Sequence, residues 1–418
     1  MVMDEVNIVP RQTRSWLMDS VLGPYVPDYC SYLSARRYAV HTTHIYVYCV
    51  AHFAHWLTTE QLGLDRIDEQ AAQRFLVDHL PGCDCPTPVR RVPHEIRAAL
   101  SHLFEVLRAR GVIATCPGNA NHVESELAGF DRYMDQVGGL AASTRGGRVN
   151  ILRHFLIGRF GSGPIVASDI TPTELRQFVL RRDEPRSAGA VAVIGGALRC
   201  YLRFRALSGD QLGTLPGSIP NAAHWRLAAL PETLSEAEGE QMLCSFNAPF
   251  PSSRRAYAMV RCLTDLGLRA AEVVSLRLED IDWRAGTLRL AVNKSRRVDI
   301  LPLSPETGRA IADYLQAERP QTTNRFVFVR HVAPYDEPIG PGVVRRAVRD
   351  AYRRCGWTRS RVHILRHSMA SRLLRIGTPL KEVADILRHR SLDTSAIYAK
   401  VDVNRLAAVT SPWPGRTP

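Results

Sequence analysis

Lysine is almost missing from this chain: Lys294, Lys381 and Lys400 are the only three among 54 Lys and Arg residues. Arginine keeps its charge and offers a rigid fork of donors, whereas lysine can give up a proton. Where arginine is so strongly preferred, a lysine that remains points to proton transfer. Long apolar runs are also lacking. No stretch approaches the ~20 residues that cross a bilayer, so no membrane span is expected. The N-terminal MVMDEVNIVPRQ has no basic start followed by an apolar run, so no secretory signal is expected, and the cytoplasm is the expected compartment. The nine cysteines, Cys30, Cys49, Cys83, Cys85, Cys116, Cys200, Cys244, Cys262 and Cys355, form no disulfide framework, and reduced thiols are the simplest account. Cys83-Asp84-Cys85 lies near His94 and Cys116 but lacks the C-x-x-C spacing of a zinc knuckle, so no metal is expected.

Positive charge is what the chain has in excess. Its 54 basic and 41 acidic residues leave a net +13, with a pI of about 9.6, which favours a polyanion. Basicity alone suits DNA, RNA or an anionic membrane. At 418 residues the chain is long enough for two or three domains, each with its own core.

Groups capable of chemistry gather near the C-terminus. His363 and Arg366 form H-x-x-R, His389 lies in ILRHRSLDTS, and Tyr398 in AIYAK follows His389 by nine residues. Upstream, LTDLGLRAAEVVSLRLEDIDW supplies Arg269, and VNKSRRVDILPL supplies Lys294. A phosphodiester undergoing displacement develops charge on its non-bridging oxygens, which arginine forks such as Arg269 and Arg366 grip bidentately. A tyrosine hydroxyl, with a pKa near ~10, needs a base or a cationic pocket to become a nucleophile. Lys294, the lysine at a turn, is placed to protonate a departing 5′ oxygen as general acid. Taken singly, Tyr398 reads as a core or surface tyrosine and H-x-x-R as a solvated helix face; the ordered set is far more specific.

Local patterns bring these groups together. Leu263, Leu266, Val273, Val274 and Leu276 recur at helical spacing, predicting one helix on which Glu272 orients Arg269 three residues away. Leu288, Leu290 and Val292, then Val298, Ile300 and Leu303, predict two strands around a turn at Asn293-Lys294-Ser295. The helix carrying His363 and Arg366 should stop near Gly377, with Thr378-Pro379 starting the next, which His389 ends. Asp393-Thr394 should open the short helix of Tyr398. His367 points about one residue round the helix from the His363 and Arg366 pair, so a structural or phosphate-contacting role is expected for it rather than catalysis.

This order and spacing resemble the tyrosine recombinase (phage integrase) family over about residues 233 to 403. The resemblance implies cleavage and rejoining of DNA through a 3′-phosphotyrosine, without cofactor or metal, catalysed by Arg269, Lys294, His363, Arg366, His389 and the nucleophile Tyr398, with Glu272 in support. It also implies a mobile-element integrase, double-stranded DNA as partner, a homotetramer on two synapsed sites, and a bacterial, nucleoid-associated location. Other recombinases or accessory proteins of the same element are further partners to consider. Type IB topoisomerases share nearly the same site, and a DNA-binding architectural protein with a silent site is a third reading. Two features depart from the family pattern: Arg388 stands where a small residue is common, adding a phosphate contact or crowding the site, and the lysine turn lacks glycines.

The rest of the chain holds an internal repeat. AVHTTHIYVYCVAHF (39–53) parallels AASTRGGRVNILRHF (141–155), Ile67 and Phe75 parallel Ile170 and Phe178, and 96–111 aligns with 194–209 without a gap. The expected fold is therefore mainly α with a small antiparallel β-sheet in the catalytic domain. Its parts are an N-terminal extension (1–27), a helical SAM-like domain (28–115), a helical core-binding domain (123–215), the catalytic domain (233–403) and a tail (404–418). The Gly- and Pro-rich stretches at 116–121 and 213–220 read as linkers. The second unit resembles, in helical pattern and position, the domain that clamps DNA opposite a recombinase catalytic domain. Arg145, Arg148, Arg153, Arg199, Arg203 and Arg205 are its candidate phosphate contacts, or equally solvated helix positions. The first unit reads as a second DNA clamp or as a protein-contact domain. Val401, Val403, Leu406 and Val409 make a short apolar pattern suited to docking on a neighbouring protomer.

Overall fold

A computed structural model describes residues 10–113, 122–161, 163–180, 186–221, 230–248, 250–290, 298–389 and 395–399. The fold is mainly α with one small antiparallel sheet. Contacts divide the chain into two units, Met1–Ile113 with Ala229–Pro418, and Ala114–Ala228.

In the first helical part, α1 (Arg11–Met18) and α2 (Val26–Ala35) precede a long α3 (Val40–Thr59), a short α4 (Glu69–Arg74) and α5 (Pro93–Ala109). The core face of α5 is written in the sequence as Ile96, Leu100, Leu103 and Leu107, all buried at helical spacing. α1 was expected to lie in a separate extension. Instead Leu17 and Leu22 are buried in the same core as α3 and α5, because α1 needs a partner for its apolar side.

The unit 114–228 repeats this design with α6 (His122–Gln136), α7 (Ala142–Phe160), α8 (Pro172–Leu180) and α9 (Ala188–Leu207). Sequence similarity becomes matched packing. Phe53 meets Phe75 edge-on at 5.2 Å, and their counterparts Phe155 and Phe178 meet edge-on at 5.1 Å. Ile67 and Ile170 are both buried just after a short 3-10 turn. The stretch 213–220, expected as a linker, instead contributes buried Leu215 and Ile219 to this core.

The C-terminal part opens with α10 (Glu236–Cys244), started by a Ser235 and Glu238 capping box. α11 (Ser253–Asp265) and α12 (Ala270–Ser275) follow, then β1 (Ile281–Asp282), β2 (Thr287–Leu290) and β3 (Asp299–Pro302) in the order β1-β2-β3. α13 (Pro305–Ala317), α14 (Pro341–Arg354), α15 (His363–Arg375), α16 (Leu380–Ile386) and α17 (Ala396–Ala399) complete it. The two expected strands are present, with Leu288 opposite Leu301. Leu301 on β3 is buried, while Ile300 and, just before the strand, Val298 face solvent. A one-residue shift moves every side chain to the other face, and Leu288 and Leu290 on β2 fix which face is inside. The Lys294 turn and residues 401–409 lie outside the described residues.

Candidate active site

One helix was expected to carry Leu263 through Leu276. The structure breaks it between α11 and α12, where Gly267 adopts φ +57°. That backbone conformation favours glycine, and a Cβ there would also lie 2.6 Å from the Met369 sulfur and push that side chain aside. The break makes Arg269 the N-cap of α12. Glu272 then accepts the Arg269 backbone N–H at 2.8 Å and its guanidinium at 2.6 Å. The sequence pairing of Arg269 and Glu272 is thus realised as a capping box, which fixes the arginine at a helix start.

Glu272 holds a second cation. Arg388 donates at 2.8 Å to Oε2, the oxygen that also accepts the Arg269 N–H, and at 2.9 Å to the Ile386 carbonyl, and the Arg388 side chain is 3% exposed. Its backbone, at φ +54° just past α16, turns the side chain inward. Arg388 was expected to contact phosphate or crowd the site. In this structure it is a buried counter-ion to Glu272. Burial pushes the Glu272 carboxyl up, but the charges of Arg388 and Arg269 and the Arg269 N–H outweigh it and hold the pKa below the usual carboxylate value.

α15 begins at His363, so His363 and Arg366 sit on its first turn. Arg366 is buried, and its terminal nitrogens donate to the carbonyls of Gly267 and Leu387, tying α15 to the α11–α12 break and to the end of α16. Five donors on a guanidinium leave further N–H groups for an anion. Burial first, then the Arg269 and Arg388 charges, lower its pKa to about 9. Burial and neighbouring cations disfavour this charge, and a bound anion would favour it.

Tyr398 is almost wholly buried on α17, packed with Met369, Leu374, Val383 and Leu387. Its hydroxyl lies 2.8 Å from Nδ1 of His367. His367, for which a structural or phosphate-contacting role was expected, therefore stands directly against the Tyr398 hydroxyl. In the tautomer with its proton on Nε2, Nδ1 of His367 is the acceptor for a hydrogen bond from the phenol O–H. His389 does not end α16, which stops at Ile386; it follows the turn at Arg388, stacks on Tyr398 with ring centroids 6.3 Å apart, and is fixed by Ser395 Oγ at 2.6 Å from Nδ1.

The electrostatics of these groups share one cause. Burial raises the Tyr398 phenol above its ordinary value, while Arg366 and Arg269 pull it back down. Burial also lowers His367, helped by His363 and Arg366, and lowers His389, helped by Arg366, Arg269 and Arg388, each to about 4. His363 is lowered by burial and by Arg366, Arg269 and Arg345. The histidines are therefore neutral near pH 7 and able to accept a proton.

Arg269, Glu272, His363, Arg366, His389 and Tyr398 converge here, joined by His367, which motif spacing missed; its only sequence signal is that it flanks Arg366. Lys294 lies outside the described residues, as does Asp393-Thr394. In the unit 114–228, most of the expected phosphate contacts are engaged within the protein. Arg145 pairs with Asp131 and Asp135, Arg153 forks onto Glu124 at 2.8 Å on both arms, and Arg205 joins Glu126 and Asp210. Arg199 donates to the Ile219 carbonyl and to Asn221. Arg203 is exposed and Arg148 half-buried, neither with an ion pair among the described residues.

Comparison with known proteins agrees with this geometry. Residues 232–405 match the phage integrase family. A Sinorhizobium fredii protein, y4rA, with the provisional description integrase/recombinase, is 33% identical over 396 residues, covering 94% of each chain. The chain belongs to the phage integrase family. Its enzyme class is that of the tyrosine recombinases, site-specific DNA strand transferases, rather than the topoisomerases considered as an alternative. Tyrosine recombinase XerD of Listeria monocytogenes is 29% identical over 54% of this chain and 77% of its own. A solved lambda integrase dimer bound to a COC′ core site has the same fold, with TM-score 0.50 and 16% identity over 69% of this chain and 98% of that one.

Proposed function

We propose that this recombinase moves a mobile element by cleaving double-stranded DNA with Tyr398 and rejoining the 3′-phosphotyrosine to a different 5′-hydroxyl. The observation that carries the assignment of roles is the 2.8 Å contact between Tyr398 Oη and His367 Nδ1, inside a pocket charged by Arg269 and Arg366. His367 takes the phenol proton as Tyr398 attacks phosphorus. Arg269 and Arg366 stabilise the charge on the non-bridging oxygens. His389 and His363 flank the reacting centre as further donors once the phosphate is present. Lys294 protonates the departing 5′ oxygen. Glu272 and Arg388 hold the first arginine in place. On a nicked suicide substrate bearing the cognate site, Tyr398→Phe should keep DNA binding and lose the covalent 3′ adduct; an adduct formed by that variant would remove Tyr398 from the role.

The working assembly is proposed to be a homotetramer on two DNA sites. The apolar tail positions Val401, Val403, Leu406 and Val409 are offered to a neighbouring protomer. A cavity of about 370 Å³ in the C-terminal part, where Leu234, Leu243, Leu365 and Met369 stand among charged side chains such as Glu236, Asp265 and Arg372, is the proposed receiving surface for the tail.

A further inference from the structure

The first helical part contains a cluster that the recombination chemistry does not use. Nε2 of His52, Nε2 of His79, Sγ of Cys83 and Sγ of Cys85 all lie within 4.8 Å of one another. Three of the separations are 3.3 Å (His52 Nε2 to His79 Nε2), 3.3 Å (Cys83 Sγ to His52 Nε2) and 3.5 Å (Cys85 Sγ to His79 Nε2). Zn–N bonds of about 2.0–2.1 Å and Zn–S bonds of about 2.3 Å in a tetrahedron set ligand atoms roughly 3.3–3.8 Å apart. These three spacings fall in that range, and the remaining pairs of donors lie within 4.8 Å, close enough for the side chains to draw in around one ion.

Surrounding groups orient the donors. His52 is buried on α3 and its Nδ1–H donates to the Arg90 carbonyl at 2.8 Å, which turns the Nε2 lone pair toward the cluster. A backbone carbonyl on the far nitrogen is the usual partner of a metal-bound histidine. Phe75 lies against both rings, edge-on to His52 at 5.0 Å and stacked on His79 at 5.2 Å. The segment Phe75–His79 is a π-helical turn, a widening that recurs at functional positions and here carries His79 at its end. His94, expected as the partner of the C-x-C pair, is exposed, and Cys116 lies outside the described residues.

Comparison of the two repeats isolates the feature. The second copy keeps Phe155 and Phe178, but its His154 is exposed and bonded to the Asn150 carbonyl of its own helix. Counted from Phe75 and Phe178, Arg182, Arg186 and Ala188 take the places of His79, Cys83 and Cys85, and the whole stretch between Phe178 and Ile194 has no cysteine or histidine. The first copy also needs more chain to connect the paired elements: Phe75 to Ile96 spans 21 positions and Phe178 to Ile194 spans 16, a difference of five. Ligands and extra loop occur together, in one copy only.

We propose that His52, His79, Cys83 and Cys85 bind a structural zinc ion that pins the 80–92 loop onto α3. Four protein donors close the coordination sphere, so the site holds the fold and catalyses nothing. Binding releases both thiol protons to solvent and joins the loop to a buried helix residue 31 positions upstream of Cys83. The full chain, purified under reducing conditions without chelator, should carry one zinc by elemental analysis. After exchange with cobalt it should show the intense visible bands of a tetrahedral site and a thiolate charge-transfer band. Cys83→Ser/Cys85→Ser should lose both signals, and Cys244→Ser/Cys355→Ser should keep them. Should the first double variant fail to fold, hydrogen exchange of the wild-type chain with and without chelator decides, with protection of residues 80–92 expected to fall when zinc is removed. Absence of bound zinc with an octahedral cobalt spectrum would overturn the proposal. So would a Cys83–Cys85 disulfide in freshly purified protein, zinc retained by the Cys83 and Cys85 double variant, or loop protection unchanged by metal removal.

Discussion

Glu272→Gln tests whether the two-arginine brace behind the active site is electrostatic. Glutamine keeps the shape, but only one of its two polar atoms accepts, and its amide would face a cationic donor. Arg269 is 30% exposed and can turn toward water, whereas Arg388 at 3% exposure has no such escape. Removing one partner of a buried pair typically costs about 3–5 kcal/mol, because the other charge is left uncompensated. At 1.4 kcal/mol per tenfold, amides that exchange through opening of this region should exchange roughly a hundred to several thousand times faster. Hydrogen-exchange mass spectrometry on peptides covering 266–275 and 380–389 reads that change directly. Glu272→Gln/Arg388→Met should recover most of the protection, since both charges leave the same volume. The Glu272 carboxyl is depressed, so its stabilisation is complete above the unfolded value near ~4.3 and lost as pH falls through the folded value. The gap between wild type and Glu272→Gln should therefore be full at pH 7 and close in acid. A change of less than tenfold at pH 7, or no recovery in the double variant, would refute the brace.

Three further outcomes are expected. Because His367 is held near about 4, kcat/KM for strand cleavage should change less than about twofold between pH 7 and pH 5.5, where a histidine at its ordinary ~6.5 would lose roughly tenfold; a tenfold fall would remove His367 as the neutral base. Lys294→Ala should slow cleavage of normal DNA but be partly rescued by a 5′-bridging sulfur, a leaving group that needs no proton; equal defects on both substrates would mean Lys294 is not the acid. Truncation after Lys400 should leave single-site binding intact and abolish the four-protomer synapse when complexes are sized on cognate DNA, and an unchanged tetramer would place the tail on its own protomer.

What the sequence disclosed about the site follows from how its information is stored. Arg269, His363, Arg366, His389 and Tyr398 are legible because their order and spacing are properties of the chain itself. The partner of the nucleophile is different. Neighbouring residues on a helix point about 100° apart, so His363 and Arg366 seemed to define the reactive face of α15. The face that matters to Tyr398 is set by the direction from which α17 returns, a tertiary fact with no local signature. The same holds for Arg388, whose role depends on one positive φ turning a long side chain inward, and for the arginines of the second unit, whose carboxylate partners such as Glu124 and Glu126 lie tens of residues away.

The inner face of β3 and the His52 cluster mark the same boundary from two sides. The apolar residues Val298, Ile300 and Leu303 after the turn announced a strand, but the choice of inner face came from its pairing with Leu288 and Leu290. C-x-C spacing gave half of a ligand set, and the other half sits on a long helix and at the end of a π turn, where a sequence shows only two ordinary histidines. In both cases the chain announces the element and the packing assigns its use. The repeat is what restores some of that lost information. Two copies of one scaffold share the Phe53/Phe75 and Phe155/Phe178 pairs, so the residues present in only one copy stand out against a common background. His79, Cys83, Cys85 and the five extra connecting residues are such a difference, and their convergence on a buried His52 is the strongest physical reason to treat the first helical part as more than a second copy of the other.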